Sequence, residues 1–233
     1  MSPTEEKPSS THGIMKKIRV SKDGPYIVSG GIPLQIKEIR NDAEGYCSTW
    51  HEVKTFPFQE QYALYRCGHS KNKPFCDGTH TNIHFDGTEM ADIEPYLQRA
   101  DTINGPALRL TDADGMCVHA RFCMRAGGIW NLTRQSGDSE ARDIAIEEAG
   151  NCPSGRLVVW DRKTGKAIEP GFEKSVVIIE YPPRSEHGPI WVRGGIPIES
   201  SDGHVYEIRN RVTLCRCGKS YNKPFCDGSH IKR

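Results

Sequence analysis

At 233 residues the chain can bury a core as one large domain or as two to three small ones. Only 36% of it is apolar, while glycine (23) and proline (15) are frequent, a balance that favours short strands and turns over long helices. The 31 lysines and arginines nearly cancel the 30 acids, so no basic field recommends nucleic acid, and no apolar run approaches the ~18–20 residues of a membrane span.

In chain order, M-S-P-T-E-E-K-P-S-S-T-H is polar and lacks the apolar centre of a secretory signal, so residues 1–12 are expected to be a disordered tail. A first module is expected over 13–100. Within it G-P-Y-I-V-S-G-G-I-P-L (24–34) reads as strand, Gly-Gly turn and strand, followed by E-I-R-N (38–41). The same phrase returns as G-P-I-W-V-R-G-G-I-P-I (188–198) with E-I-R-N at 207–210, in a second module expected over 186–233. One such unit is too small to bury its own face. The two are therefore expected to pair within the chain as a pseudo-dimer, sharing a small β-sandwich or barrel. Residues 42–62, holding Cys47 and Trp50, have no counterpart in the second copy.

Between the modules, 101–185 is expected to form an α+β insert. N-G-P-A-L-R-L-T-D-A-D-G-M reads as strand and turn. S-E-A-R-D-I-A-I-E-E-A-G (139–150) reads as a helix capped by Ser139 and ended by Gly150, and 156–161 and 174–181 read as strands. The whole is an α+β, β-rich chain.

Nine cysteines would suit a disulfide framework in a secreted chain, but the count is odd and no export signal is present. In a reducing compartment clustered cysteines with a nearby histidine point to metal ligation, and hence to a soluble, cytoplasmic protein. In C-R-C-G-K-S-Y-N-K-P-F-C-D-G-S-H (215–230) the candidate ligands are Cys215, Cys217, Cys226 and His230. Two chelating pairs joined by a compact loop match a 2Fe-2S cluster, whose irons each take two protein ligands. Lys219, Lys223 and backbone N–H groups are placed to offset its negative charge. Zinc also accepts three cysteines and a histidine, although C-x-C-x8-C-x3-H is not its usual spacing.

Residues 215–230 match every defined position of C-x-C-x2-(S/T)-x3-P-x-C-D-G-(S/A/T)-H and so resemble the CDGSH iron–sulfur domain family. The resemblance implies a 2Fe-2S cluster on Cys215, Cys217, Cys226 and His230. The first copy, 65–80, fits at Cys67, Ser70, Pro74, Cys76, Asp77, Gly78, Thr79 and His80, but Tyr65 stands where the first ligand belongs. Four outcomes are open there. The Tyr65 phenolate completes a 2Fe-2S site, Cys47 reaches in, three ligands hold a 3Fe-4S cluster, or Tyr65 packs and the loop is empty. Cys117, Cys123 and Cys152, spaced C-x5-C-x28-C-P and followed by S-G-R-L, resemble a divergent single-cluster ferredoxin-like domain, which implies a 3Fe-4S or 4Fe-4S cluster with His119 as a candidate fourth ligand.

No nucleophile–base constellation, phosphate loop or dinucleotide fingerprint accompanies these sites, and the G-G-I-P turns lack G-x-G-x-x-G spacing. The expected role is a monomeric, non-enzymatic carrier of electrons or clusters, serving redox or cluster-acceptor proteins. The rival expectations are a zinc-stabilised interaction module and an oxidoreductase with an unrecognised substrate site.

Overall fold

A computed structural model describes residues 15–231, so the expected tail at 1–12 lies outside the described residues. The first module contributes β1 (Lys17–Val20), β2 (Tyr26–Ser29), β3 (Leu34–Asn41), β4 (Cys47–Thr55) and β5 (Gln61–Leu64), then two single-turn helices, α1 (Thr79–Asn82) and α2 (Tyr96–Arg99). The middle of the chain forms β6 (Asp101–Asn104), β7 (Leu108–Asp112), α3 (Ile129–Arg134), α4 (Ser139–Asn151), β8 (Leu157–Asp161) and β9 (Ala167–Ile168). The last quarter forms β10 (Ser175–Tyr181), β11 (Glu186–Arg193), β12 (Ile198–Glu199) and β13 (Arg211–Leu214). The result is a β-rich α+β fold with mixed sheets.

Short strands follow from the sequence because each apolar alternation is cut by a turn that only glycine tolerates. Gly30-Gly31 and Gly194-Gly195 all have positive φ, between 65° and 87°. The strands assemble into sheets ordered β12-β1-β2-β5, β13-β11-β10-β3-β4 and β6-β7-β8-β9. The first two repeat one pattern. In each, an antiparallel hairpin is flanked on one side by the strand leading to a Cys/His loop, and on the other by a parallel strand taken from the opposite module. Ile18 faces Val28 and Ile198 in one sheet, and Val176 faces Val192 and Leu34 in the other. Tyr26 faces Leu64 as Ile190 faces Leu214. The side chains of both sheets meet in one buried cluster that includes Ile18, Tyr26, Val28, Leu64, Val176, Ile190, Ile198 and Leu214. Each full aliphatic burial there is worth about 1.5–3 kcal/mol, and neither hairpin has another apolar surface of that extent to cover it.

The extra segment in the first copy is β4, which pairs with β3 at the sheet edge and turns Cys47 and Trp50 into a second cluster with Phe122 and Trp191. In the second copy the chain turns back at once, the Ser200 N–H donating to the His204 carbonyl at 2.8 Å.

In the insert, Ala141, Ala145 and Ala149 line the buried face of α4, and their small side chains let the helix lie close on Leu108, Leu110, Leu157 and Val159. Two local details differ from the sequence expectation. Asp138, not Ser139, caps α4, its carboxylate accepting from the Ala141 N–H at 2.9 Å, and the helix continues through Gly150 to Asn151. The strand at 175–181, grouped by sequence with the insert, lies in the five-stranded sheet between β11 and β3. Its run V-V-I-I reads equally well for either sheet, and parallel pairing with β3 decides the matter.

Arg211 fastens the insert to β13. Its side chain is buried, and it donates from Nε to the Cys152 carbonyl (2.7 Å) and from Nη2 to the carbonyls of Ala149 (2.8 Å) and Leu157 (3.1 Å). Its Nη1 pairs with Glu169. Replacing Arg211 with methionine leaves these acceptors and one carboxylate unpaired, so a loss of about 3–5 kcal/mol in chemical denaturation is expected.

Candidate metal centre

The C-terminal loop is built as a closed hairpin. Buried strand β13 leads into Cys215, whose N–H donates to the Pro224 carbonyl (2.8 Å), while the Cys226 N–H returns to the Thr213 carbonyl (2.9 Å). The Ser220 hydroxyl donates to the Phe225 carbonyl at 2.7 Å and accepts from the Asn222 N–H at 3.0 Å. The Asp227 carboxylate accepts from the N–H groups of Tyr221 (2.9 Å) and Ser229 (3.0 Å). These bonds explain the non-ligand positions of the motif: serine and aspartate tie the loop shut, and Gly228 takes φ +85°.

The candidate ligands emerge as two pairs. Cys215 Sγ and Cys217 Sγ lie 3.7 Å apart, and Cys226 Sγ lies 3.4 Å from His230 Nδ1. The Gly228 N–H donates to Cys226 Sγ at 3.5 Å. Among the described residues no three His, Cys, Asp or Glu side chains converge on a single point. Cys215 and Cys226 are buried, whereas Cys217 and His230 line an open cleft with Tyr65, Lys73, Arg184 and Lys219. A hydrogen bond from the Cys217 thiol and the backbone N–H groups of Ser220, Gly218 and Cys217 bring the Cys215 thiol down against the effect of burial. Burial pushes Cys226 well up. Burial, helped by Arg216 and His119 and opposed by Glu186, holds His230 at about 4, so the ring is neutral and its nitrogen is free to bind metal near neutral pH. Of the two lysines expected to face the site, Lys219 lines the cleft, while Lys223 donates to the Ser220 carbonyl at 3.0 Å.

Two buried arginines, both missed by the sequence reading, bracket this region. Arg216 reaches across to the other module to donate to the Tyr65 phenol (3.0 Å), and it donates on its own side to the Ile179 carbonyl (2.9 Å) and the Glu180 carboxylate (2.7 Å). Arg66, its counterpart, stacks over Tyr26 at 5.5 Å, and its Nε and Nη1 have no partner among the described residues. The Tyr26 hydroxyl lies 2.8 Å from the Cys215 carbonyl and 2.9 Å from that of Pro224. Unpartnered guanidinium donors in this layer suit an anionic group. The signal was visible: Y-R-C and C-R-C place an arginine at the same point of both copies.

The N-terminal loop repeats the scaffold. Ser70 donates to the Phe75 carbonyl (2.6 Å), Asp77 accepts from Lys71 (2.7 Å) and Thr79 (3.0 Å), and Cys76 Sγ lies 3.3 Å from His80 Nδ1. Burial raises the Cys76 thiol. The Tyr65 phenol is bound to Arg216 at the cleft, and Cys47 donates its thiol to the Tyr181 hydroxyl at 3.4 Å within an apolar cluster. The two loops also touch back to back. A Cβ on Gly68 would stand 2.6 Å from the Cys217 carbonyl oxygen, and one on Gly218 would stand 3.0 Å from that of Cys67.

In the insert, Cys117 follows a 3-10 turn, Cys123 is the second residue of the next, and Cys152 caps the end of α4. Folding brings all three to one small cavity with His119, Arg156 and Pro153. Burial and the other two cysteines push Cys123 up to about 12. Glu148, also unforeseen, is buried on α4 with neither carboxylate oxygen hydrogen-bonded among the described residues, and burial lifts it to about 8. Its only trace in the sequence is an acid next to the alanine stripe of the helix.

The family model described as iron-binding zinc finger CDGSH type matches residues 23–81 and 187–231, and that described as divergent 4Fe-4S mono-cluster matches 103–162. No curated protein and no solved structure matches the chain. No helix among the described residues is long and apolar enough to cross a membrane. Both family descriptions support iron–sulfur cluster binding: two segments of this chain match the CDGSH iron-binding model, and the segment between them matches the divergent 4Fe-4S mono-cluster model.

Proposed function

We propose that the chain is an electron or cluster carrier whose principal site is a 2Fe-2S cluster held by Cys215, Cys217, Cys226 and His230. The observation that carries this reading is the division of the four ligands into two pairs, at 3.7 Å and 3.4 Å, as two irons require. A single zinc ion would instead gather them about one point. A cluster bound there supplies one-electron chemistry. The chain's own residues bury its inner edge, neutralise it with backbone N–H groups and arginine, and leave Cys217 and His230 at the cleft, where a redox or cluster-acceptor protein docks. At the first loop, Arg216 occupies the Tyr65 phenol and Tyr181 occupies Cys47. Those contacts favour a cluster held by Cys67, Cys76 and His80 alone. Cys117, Cys123 and Cys152 form a third site.

Iron and acid-labile sulfide measured on anaerobically isolated chain test this reading. The expected result is iron and sulfide at all three sites, unchanged in Tyr65→Phe; stoichiometric zinc without sulfide would overturn it. Loss of iron in Tyr65→Phe would return the phenolate as a ligand.

The two modules also form an intramolecular pseudo-dimer on this account, supported by their matching registers and shared core. Light scattering should therefore read one chain; a stable dimer sinks that part.

His230 makes the principal site sensitive to acid. Its value in the folded chain lies below its ordinary 6.5, at about 4, so the unfolded chain binds the proton more readily between those limits. The stability that neutral His230 contributes is full above 6.5 and falls as pH drops towards 4. Iron on the ring competes with the same proton. In His230→Cys, cluster absorbance should decay more slowly in mild acid and the potential should fall, because thiolate adds negative charge. Equal decay in mutant and parent would remove His230 as the labile ligand.

A further inference from the structure

We propose that the Cys117–His119 segment and the Cys226–His230 loop form an electron junction, so that the insert's site exchanges electrons directly with the C-terminal site and reaches the N-terminal site only through it. The inference rests on the reading that these sites hold clusters, and it concerns how the chain joins them.

Gly228 lies midway between the ligands Cys226 and His230. A Cβ built on it would stand 2.5 Å from Cδ2 and 2.9 Å from Nε2 of His119, and 2.8 Å from the carbonyl oxygen of Cys117. A candidate ligand of one site is thus separated from the ligand loop of the other by a single backbone contact. Among the described residues the N-terminal loop has no such neighbour: Gly78, at the equivalent position and with the same φ of +85°, would meet none of them within 4 Å. That loop touches the C-terminal one instead, through Gly68 on Cys217 and Gly218 on Cys67. The three sites therefore follow one order, with the C-terminal loop in the centre.

The contact is built into the chain. His119 and Arg121 have φ of +55° and +66°, a region that non-glycine residues seldom adopt. Such a conformation persists where its surroundings hold it, and here Arg121 makes a bidentate bond to Glu186 at 3.0 Å and 3.0 Å. Glu186 opens β11 and lines the cleft beside His230. The strained segment is in this way stapled to the second module at the point where its cysteine meets Gly228. An electron crossing the contact oxidises the donor site by one unit and reduces the acceptor by one. No bond forms or breaks, and the electron enters the chain from an external one-electron reductant.

The test uses paired glycine variants of the full chain. Gly228→Ala and Gly78→Ala carry the same backbone cost at φ +85°, but only the first drives a methyl group into the insert. Iron at each site is counted first. With dithionite-reduced protein, the microwave power needed to half-saturate the electron paramagnetic resonance of the C-terminal site is then read. A nearby paramagnet speeds spin relaxation, so this power should be high in the parent and in Gly78→Ala, and should fall severalfold in Gly228→Ala. If Gly228→Ala sheds its cluster, Arg121→Ala is read in its place, with the same fall expected. A parent value no higher than that of Cys123→Ala, or equal values in the parent and the junction variant, overturns the junction while leaving the cluster assignments standing. Iron missing from the insert overturns the third-site reading and the junction with it.

Discussion

Everything in this molecule depends on the exchange of one strand between its two repeated hairpins. The parallel pairings of β3 with β10 and of β12 with β1 put the apolar faces of both sheets into one core. They also bring the ends of β5 and β13 together, so that the two Cys/His loops meet back to back through Gly68 and Gly218. Without that exchange each module would be a hairpin with an uncovered face, and neither loop would have a rigid base.

The ligand loops inherit their geometry from this base and need little else. Each is closed by the same serine, the same aspartate and a return hydrogen bond to the incoming strand, at Ala63 in one copy and Thr213 in the other. What differs is what the rest of the chain lays against them. The second loop carries the insert on its Gly228 edge and Arg216 within it, while the first has none of the described residues against Gly78 and has a tyrosine in place of a cysteine. A repeat that is nearly symmetric in sequence has become two different electrostatic environments.

Local chemistry was legible in the sequence, and long-range choices were not. The Gly-Gly turns, the strands around them, the Cys215–His230 loop and the helix of the insert all follow from residues close together in the chain. The partner of β10 did not, because V-V-I-I satisfies a buried strand in any sheet, and only packing selects β3. Nor did the place of Tyr65. Its oxygen accepts from a guanidinium of the opposite module, and residues 151 apart cannot be paired by reading a motif. Cys117, Cys123 and Cys152 were identifiable as a group by the cysteine before proline, although only the fold shows that α4 carries Cys152 to the other two. Glu148, whose carboxylate oxygens have no partner among the described residues, and Arg66, with Nε and Nη1 likewise unpaired, were hidden because burial is a property of the assembled helix and sheet.

The central claim is that Cys215 and Cys217 hold one metal ion while Cys226 and His230 hold another. Mössbauer spectroscopy of iron-57-labelled chain carrying Cys67→Ala and Cys123→Ala, which isolates the C-terminal site, tests this most directly. The account predicts two quadrupole doublets of equal area in the oxidised protein, one for an iron with two cysteine ligands and one for an iron with cysteine and histidine. On one-electron reduction, the ferrous character should localise on the histidine-bearing iron. A single doublet, or a chain that binds zinc and takes up no iron, would contradict it.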